Sequence, residues 1–498
     1  MNRPQPFPLK KLAQVILMLC LPYIASCQSA LLSPFRSVDH VDFTAVNATR
    51  MLAESRSRPV TAALGKRSLT LEDCRQMALT NNLEVQVARW DELTREAVKW
   101  SSRARMLPHL SFTGDLSLRD NPLYSYSDVL GQEGLQPSAD GTGVTSYSTG
   151  RERTAWRYLF EARWNPVDAA LAYYVSKSTS NDRLKTHYQK VRVAQKLIST
   201  VDGAYYRLLS LQQSLSYAQR LAAMRAQIAA SMRRLHHKTV IRIEDYERAE
   251  ERAVEARRVL GKVRNEMERQ RSILASAMGI SPEYCVDGGF CLEGKIAPPC
   301  FGAQLCDLEL VAVKHRPEAF QAGLDHLTSI NDIKRTIVRY LPKVEGFWRY
   351  TRDKDKFLYN KDWKDIGVLV HFDLLDWLIN RNDSQAAKSA ASKTYKELGA
   401  VALGIASQVR VAALAYNDSL EEYQTREASL AGSQKVLKVA QTRVASDDMS
   451  QLQFEEAEAN LLMQKIQRIR SLGEANATCA ELQGVLGTNY KEPPPCEG

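Results

Sequence analysis

The stretch TAWRYLFEARWNP, residues 154–166, alternates large rings with full charges. Trp156, Tyr158, Phe160, Ala162 and Trp164 fall on one parity, and Arg157, Leu159, Glu161 and Arg163 on the other. A repeat of two marks a strand with one face turned to an apolar medium. Three more runs share it. Leu110, Phe112, Gly114, Leu116 and Leu118 oppose Ser111, Thr113, Asp115, Ser117 and Arg119. Val344, Gly346, Trp348 and Tyr350 oppose Glu345, Phe347 and Arg349, while Ile366, Val368, Val370 and Phe372 oppose Gly367, Leu369 and His371. Strands are therefore expected at residues 107–118, 155–165, 341–350 and 365–373. Each run is about ten residues, the length of a tilted membrane-crossing strand. Trp156, Trp164 and Trp348, near run ends, suit an interfacial belt. A half-buried sheet in water gives the same alternation, so the periodicity alone leaves both environments open. Four strands cannot close a barrel, and lipid does not tolerate open sheet edges. A membrane reading thus requires several chains.

Helical sequence surrounds these runs, and it comes in two series. SLTLEDCRQMALTNNLEVQ from Ser68 leads through a helix to LPHLSFTG, and CDLELVAVKHRPEAFQ from Cys306 leads likewise to LPKVEGFW. Ala78 and Ala312, Leu83 and Pro317, and Leu107 and Leu341 are all 234 positions apart. The joints WNPVD from Trp164 and FDLLD from Phe372 are 208 apart, so the first series carries 26 extra residues between its strands, where a loop belongs. Fixed offsets broken only at a loop argue for internal duplication. Residues 168–234 and 376–443 each read as one helix of roughly 100 Å. Such a helix needs partners of comparable length, and the shorter helices 81–106 with 241–278, and 318–340 with 450–487, supply them. The expected units are 68–280, a linker at 281–306, 307–487, and a tail at 488–498.

The N-terminus is distinctive. Lys10 and Lys11 precede the apolar run LAQVILMLCLPYIAS, which is short for a membrane span and reads as an export signal. Ile24-Ala25-Ser26-Cys27 resembles the bacterial lipoprotein box. The resemblance implies that residues 1–26 are removed, that Cys27 receives diacylglyceryl and acyl groups, and that 27–67 form a lipid-anchored extension. Gln28 after the cysteine implies outer-membrane delivery. Ordinary secretion, with Cys27 removed or structural, is the alternative. Cys285, Cys291, Cys300 and Cys306 fall within 22 residues rich in Gly and Pro. In an exported protein they are expected to form disulfides, with the pairing left open. Their spacing does not match a common zinc site.

The totals exclude more than they assert. A net charge of +10, from 67 Lys+Arg against 57 Asp+Glu, comes without a nucleic-acid motif, and the bases are interleaved with acids. No nucleic-acid partner is expected. There is no HExxH, GxSxG or phosphate loop, so neither an enzyme nor a cofactor is expected. His236 and His237 are adjacent without a carboxylate at ligand spacing, and no metal site is built on them.

This plan resembles the outer-membrane efflux family, the TolC-like channels, over residues 68–487. LTLEDCRQMALTNNLEV, LPHLSFTG, LPKVEGF, WNPVD and FDLLD carry the resemblance as an ordered, duplicated set. It implies an α+β membrane protein in which each chain gives four strands to a trimeric twelve-stranded barrel, continued by a periplasmic helical cylinder. It also implies a homotrimer in outer-membrane lipid, partnered by a periplasmic adaptor and an inner-membrane transporter. The implied activity is passive conduction in a tripartite efflux or type I secretion system. On the alternation argument Arg157, Glu161, Arg163 and His371 face the barrel lumen. Many relatives carry an Arg-Tyr-x-x-Gly turn at the periplasmic tip. Here RLHHKTVI from Arg234 and RVASDDMS from Arg443 stand instead, with Lys238 and Asp447 at the glycine positions. Where relatives close the tip by acidic rings, the matching gate or selectivity positions are Gln453 and Glu456, with Asp447 and Asp448 nearby. A solvated turn is the plain alternative for each, and Asp448 could simply cap the next helix. A lipid-anchored periplasmic coiled-coil rod without a channel is the alternative for the whole chain.

Overall fold

A computed structural model describes residues 68–121, 124–125, 148–238, 242–280, 290–299, 305–372, 375–446 and 450–490. Cys27, Cys285, Cys300, Asp447 and Asp448 lie outside them, and of Cys306 only its backbone in a helix is described. The chain divides into two compact units. One is Met1–Arg67 with Ile280–Phe290, of which only Ile280 and Phe290 are described. The other, Ser68–Gly279 with Cys291–Gly498, contains every element below.

The first half of this unit starts with β1 (Ser68–Leu69), α1 (Leu71–Asn81), α2 (Leu83–Ala104) and β2 (His109–Leu118). The short pair β3 (Tyr124–Ser125) and β4 (Ser148–Thr149) follows, then β5 (Thr154–Trp164), α3 (Pro166–His237) and α4 (Ile243–Ala277). β6 (Cys291–Leu292) pairs in parallel with β1. The second half runs α5 (Leu305–His315), α6 (Pro317–Val338), β7 (Lys343–Asp353), β8 (Asp362–His371), α7 (Asp376–Ala445) and α8 (Gln451–Leu486). The halves therefore pass through the same series, with helices of 11, 22, 72 and 35 residues in one and 11, 22, 70 and 36 in the other.

Local chemistry sets the joints. Thr70 and Asp73 form a reciprocal capping box at the start of α1. Asn82 separates α1 from α2 with extended backbone. Its Oδ1 accepts from Glu84 N at 2.8 Å, and its Nδ2 donates to Ala277 O at 3.1 Å. Arg316 does the corresponding work in the second half, held extended by the proline after it. Each break is met by the end of the half's last helix. Gly279 and Gly487 adopt positive φ, 71° and 74°, and there they cap α4 and α8. A Cβ at Gly279 would lie 2.7 Å from Asn81 O, and one at Gly487 would lie 3.2 Å from His315 O. Both positions thus need glycine for conformation and for space. They are 208 positions apart, the offset of the second half of the sequence repeat.

The long helices have no globular core to enter, so they bury one another in successive layers. Leu211, Ala218 and Leu221 of α3 meet Ala256 and Val263 of α4 and Leu462 and Ile466 of α8. Ile405, Val409 and Tyr416 of α7 meet Leu308 and Ala312 of α5 and Leu482 and Leu486 of α8. Between α3 and α8 the approach is very close, with Gly473 against Ser210 and Gly484 against Ser199. The two long helices are covered unequally. α3 buries 25 residues. α7 leaves Leu403, Val411 and Leu414, spaced at i, i+8 and i+11, exposed at 74%, 66% and 55%, an apolar stripe left uncovered by the described residues.

The extended segment 293–299 crosses α3, α8 and α7 and ties them. Tyr205 Oη donates to Glu293 O at 2.6 Å, Asn476 Nδ2 to Ala297 O at 3.0 Å, and Tyr416 Oη to Pro299 O at 3.4 Å.

The four longer strands form one antiparallel sheet in the order β2-β5-β7-β8. It is open within the chain, with β2 and β8 at the edges. The expected strands are all present, each shifted by at most three residues at either end.

Candidate functional site

In an antiparallel sheet, directly opposed residues share a face, so the register separates two surfaces. One carries the rows Leu110–Ala162–Trp348–Ile366 and Phe112–Phe160–Tyr350–Lys364. Its rings pack together: Trp156 stacks on Tyr158 at 6.0 Å, and Phe160 meets Trp348 edge-on at 5.9 Å. Little covers this face. Leu110, Phe112, Ile366 and Val368 are exposed at 64%, 70%, 81% and 70%. A bare apolar surface of this extent is tolerated in contact with lipid or another chain.

The opposite face carries the row Ser111–Glu161–Arg349–Asp365. Glu161 is only 5% exposed, because two guanidinium groups close over it. Arg349 donates to its Oε1 through Nη2 at 2.7 Å and Nε at 3.1 Å, and Arg163 Nε reaches Oε2 at 3.1 Å. Arg163 also lies 3.8 Å from Glu345, and Arg157 Nε pairs with Asp353 at 3.1 Å. The Arg349 guanidinium stands 5.2 Å from the Phe347 ring, and that ring fills the space above Gly367. A Cβ at Gly367 would sit 2.4 Å from the ring, so a larger residue there would have to displace Phe347.

Arg157, Glu161 and Arg163 thus share one face, and Glu161 with Arg163 belongs to a single network. His371, at the end of β8 opposite Lys343, stands on the same face outside it. The alternation of β7 had placed Glu345 and Arg349 on the polar side. Asp353 lies beyond the run that was read, and pairing of any of the three with β5 required the register, which no single strand reveals.

A second charged surface lies among α3, α4, α7 and α8. A cleft of about 490 Å³ is lined by Arg207, Glu266, Arg269, Arg426, Arg470 and Glu474. Arg207 holds both Glu474 and Glu481 at 2.8 Å, and Arg269 holds Glu266 at 2.7 Å.

At the far end of the helices Gln453 is exposed in the first turn of α8, whose cap is Ser450. Glu456 is not free. It pairs with Arg252 of α4 and lies 3.6 Å from Arg225 of α3, which also donates to Asn460 at 2.9 Å. Its charge is compensated inside the chain, so it differs from an open acidic ring position. His236 stacks on Tyr246 at 5.4 Å, and the described residues contain no cluster of metal-ligating side chains.

The disulfide expectation fails at Cys291. Its thiol is free and exposed, on a two-residue strand opposite Ser68. Cys74 and Cys479 are free and buried, and burial pushes the Cys74 thiol up to about 12, helped by the charges of Asp73 and Asp202.

Among solved structures the chain is similar to the CmeC outer membrane channel of Campylobacter jejuni, with 11% identity, a TM-score of 0.67, and coverage of 84% of this chain and 86% of that one. It is similar also to the outer membrane protein VceC of Vibrio cholerae (11% identity, TM-score 0.65, 84% and 96% covered). A third is the open state of the MtrE outer membrane channel of Neisseria gonorrhoeae (16% identity, TM-score 0.61, 84% and 90% covered). No protein-family model matches the sequence, and no curated protein sequence matches it. At these identities the likeness is one of fold, and it spans both halves of the chain. The fold of this chain is that of the TolC-like outer-membrane efflux channels.

Proposed function

We propose that three copies of this chain join their sheets into one twelve-stranded barrel in the outer membrane and form the exit duct of a tripartite efflux or type I secretion system. One observation carries the reading: an open sheet, bare and apolar on one face and ion-paired on the other, continues into helices of 72 and 70 residues. Edges of β2 and β8 need partners in lipid, and three copies satisfy them. The Arg157, Glu161, Arg163 and His371 face then lines the water-filled lumen, while the aromatic face meets lipid. The stripe of Leu403, Val411 and Leu414 on α7 packs on a neighbouring copy. Solute passes passively, and the energy comes from an inner-membrane transporter reached through a periplasmic adaptor at the helix tips. Cys27 carries the lipid anchor. The shared element series of the two halves supports an origin by internal duplication.

The test is planar-bilayer conductance of the purified protein beside a Cys27→Ala form, with the oligomeric mass measured on the same samples. Discrete channels from a trimer in both forms are expected. A Cys27→Ala protein that is monomeric, soluble without detergent and electrically silent would replace the duct with an anchored rod.

A further inference from the structure

On the charged face Arg157, Arg163 and Arg349 each have a carboxylate within 3.1 Å. The apolar face also carries cations, at the end of the strands remote from the helices. Arg352 is in register with Tyr158 and Asp362, and Lys364 with Tyr350. Lys354 follows on the same parity, its backbone N donating to Trp156 O at 2.8 Å. All three are exposed, and among the described residues none has a carboxylate at ion-pair distance. Lys356 next to them is different, since it is paired with Glu152 at 2.8 Å. The Lys354 ammonium instead sits 5.7 Å from the Tyr158 ring, which is stacked on Trp156.

Residues two apart on a strand are separated by about 6.6 Å, and diagonal neighbours across a pair by about 7–8 Å. Arg352 is therefore flanked by Lys354 on one side and Lys364 on the other, in a row just beyond a band of rings. Aromatic rings mark the level of lipid headgroups, and clustered Lys and Arg at that level recognise anionic ones. Snorkelling accounts for one such side chain at a membrane rim. It does not by itself account for three neighbours on one face, none with a carboxylate at ion-pair distance among the described residues.

We propose that Arg352, Lys354 and Lys364 bind the phosphate of a lipid headgroup, that of the phosphorylated glycolipid of the outer leaflet, with Tyr158 and Trp156 against its sugar and upper acyl region. The assignment rests on the reading of the sheet as barrel wall with periplasmic helices, which places this end in the outer leaflet. Asp362, in register with Arg352, opposes the ligand.

The experiment titrates the full-length detergent-solubilised protein with bis-phosphorylated lipid A and counts bound lipid by native mass spectrometry. Dephosphorylated lipid A and millimolar inorganic phosphate are the comparison probes. Wild type is expected to prefer the phosphorylated lipid by about tenfold, with inorganic phosphate failing to displace it. Arg352→Gln/Lys354→Gln/Lys364→Gln should lose about that factor, and Asp362→Asn should gain about two- to threefold. If the triple variant fails to assemble, Lys364→Gln and Asp362→Asn, with opposite expected signs, decide. Equal binding by an assembled triple variant, or equal binding of phosphate-free lipid, overturns the proposal. Displacement by inorganic phosphate reassigns the three cations to free phosphate and overturns the lipid assignment. A wild type that conducts but shows no lipid preference sinks this site alone. One that neither inserts nor conducts removes the duct reading first, and the site with it.

Discussion

The close approach of α3 and α8 yields the sharpest prediction. Replacing Gly473 with Ala places a Cβ 2.4 Å from Ser210 Cβ, 2.3 Å from its Oγ and 3.1 Å from Tyr206 O. Ser210 can rotate its hydroxyl away, losing the 2.8 Å bond it donates to Arg207 O, but its Cβ is fixed to α3. Ordinary contact between carbons begins near about 3.5 Å, so the helices must part by roughly 1 Å at this level. Overpacking of this kind costs about 1–3 kcal/mol. Alanine returns up to about 1 kcal/mol through helix propensity, leaving a net loss on the order of 1 kcal/mol. Gly484→Ala meets Ser199 Cβ at 2.6 Å. It lies 11 residues along α8, roughly 16 Å away, so the two penalties should add to about 2 kcal/mol.

The assay is guanidinium unfolding in detergent followed by far-UV circular dichroism, with a common slope across the series. Ser210→Gly removes the obstructing Cβ. The cycle of Gly473→Ala with Ser210→Gly should therefore show a favourable coupling of about 1–2 kcal/mol. Gly261→Ala is the control, since its added Cβ meets nothing within 4 Å. If Gly473→Ala behaves like Gly261→Ala and its coupling to Ser210 is zero, the helices do not approach as described.

Three further outcomes follow from the electrostatics and the thiols. Glu92 and Glu318 are both partly buried, which raises a carboxyl, yet Lys190 and His187 around the first and Arg316 and Arg192 around the second hold them below the usual 4.5. A carboxyl lowered by folding stabilises above its unfolded value and loses that contribution as pH falls through its folded value. The unfolding midpoint should therefore drop below pH 4.5, and less steeply in Glu92→Gln. Maleimide at neutral pH should label Cys291 rapidly and leave Cys74 unmodified until unfolding, because Cys74 is fully buried with its thiol near 12. Peptide mapping distinguishes the two, and equal rates would contradict the burial. In bilayers, Glu161→Gln should shift the reversal potential under a salt gradient toward anions, since each copy frees Arg163 and Arg349 from their shared carboxylate. An unchanged potential would remove Glu161 from the conducting surface.

Much of this was legible because its physics is periodic. The alternation in TAWRYLFEARW and its three companions located the strands and sorted their faces, and the two offsets located the loop between β2 and β5 and the long helices. The break between α5 and α6 falls at Pro317, the first residue of α6. That between α1 and α2 has no proline, and it depends on Asn82 reaching Ala277, 195 positions away. The cysteine reading failed at Cys291 for a related reason. Clustering in sequence suggested cross-linking, but β6 aligns Cys291 with Ser68, and that parallel pairing carries no local pattern. The tip was legible only as chemistry. Glu456 reads as an available acid until Arg252 and Arg225 are brought to it from two other helices.

Compensated charge concentrates in the central rows of the charged face. A cation facing a narrow aqueous lumen, with low-dielectric walls behind it, is costly unless a carboxylate stands beside it. Arg157, Arg163 and Arg349 satisfy that condition through Asp353 and Glu161, and Arg207 and Arg269 satisfy it in the helical cleft through Glu474, Glu481 and Glu266. A cation at a membrane rim needs no protein carboxylate, because water and headgroup phosphates serve it. Arg352, Lys354 and Lys364 sit on the ring-bearing face without one. Arg349 and Arg352, three positions apart along β7 and on opposite faces, are thus paired and bare respectively.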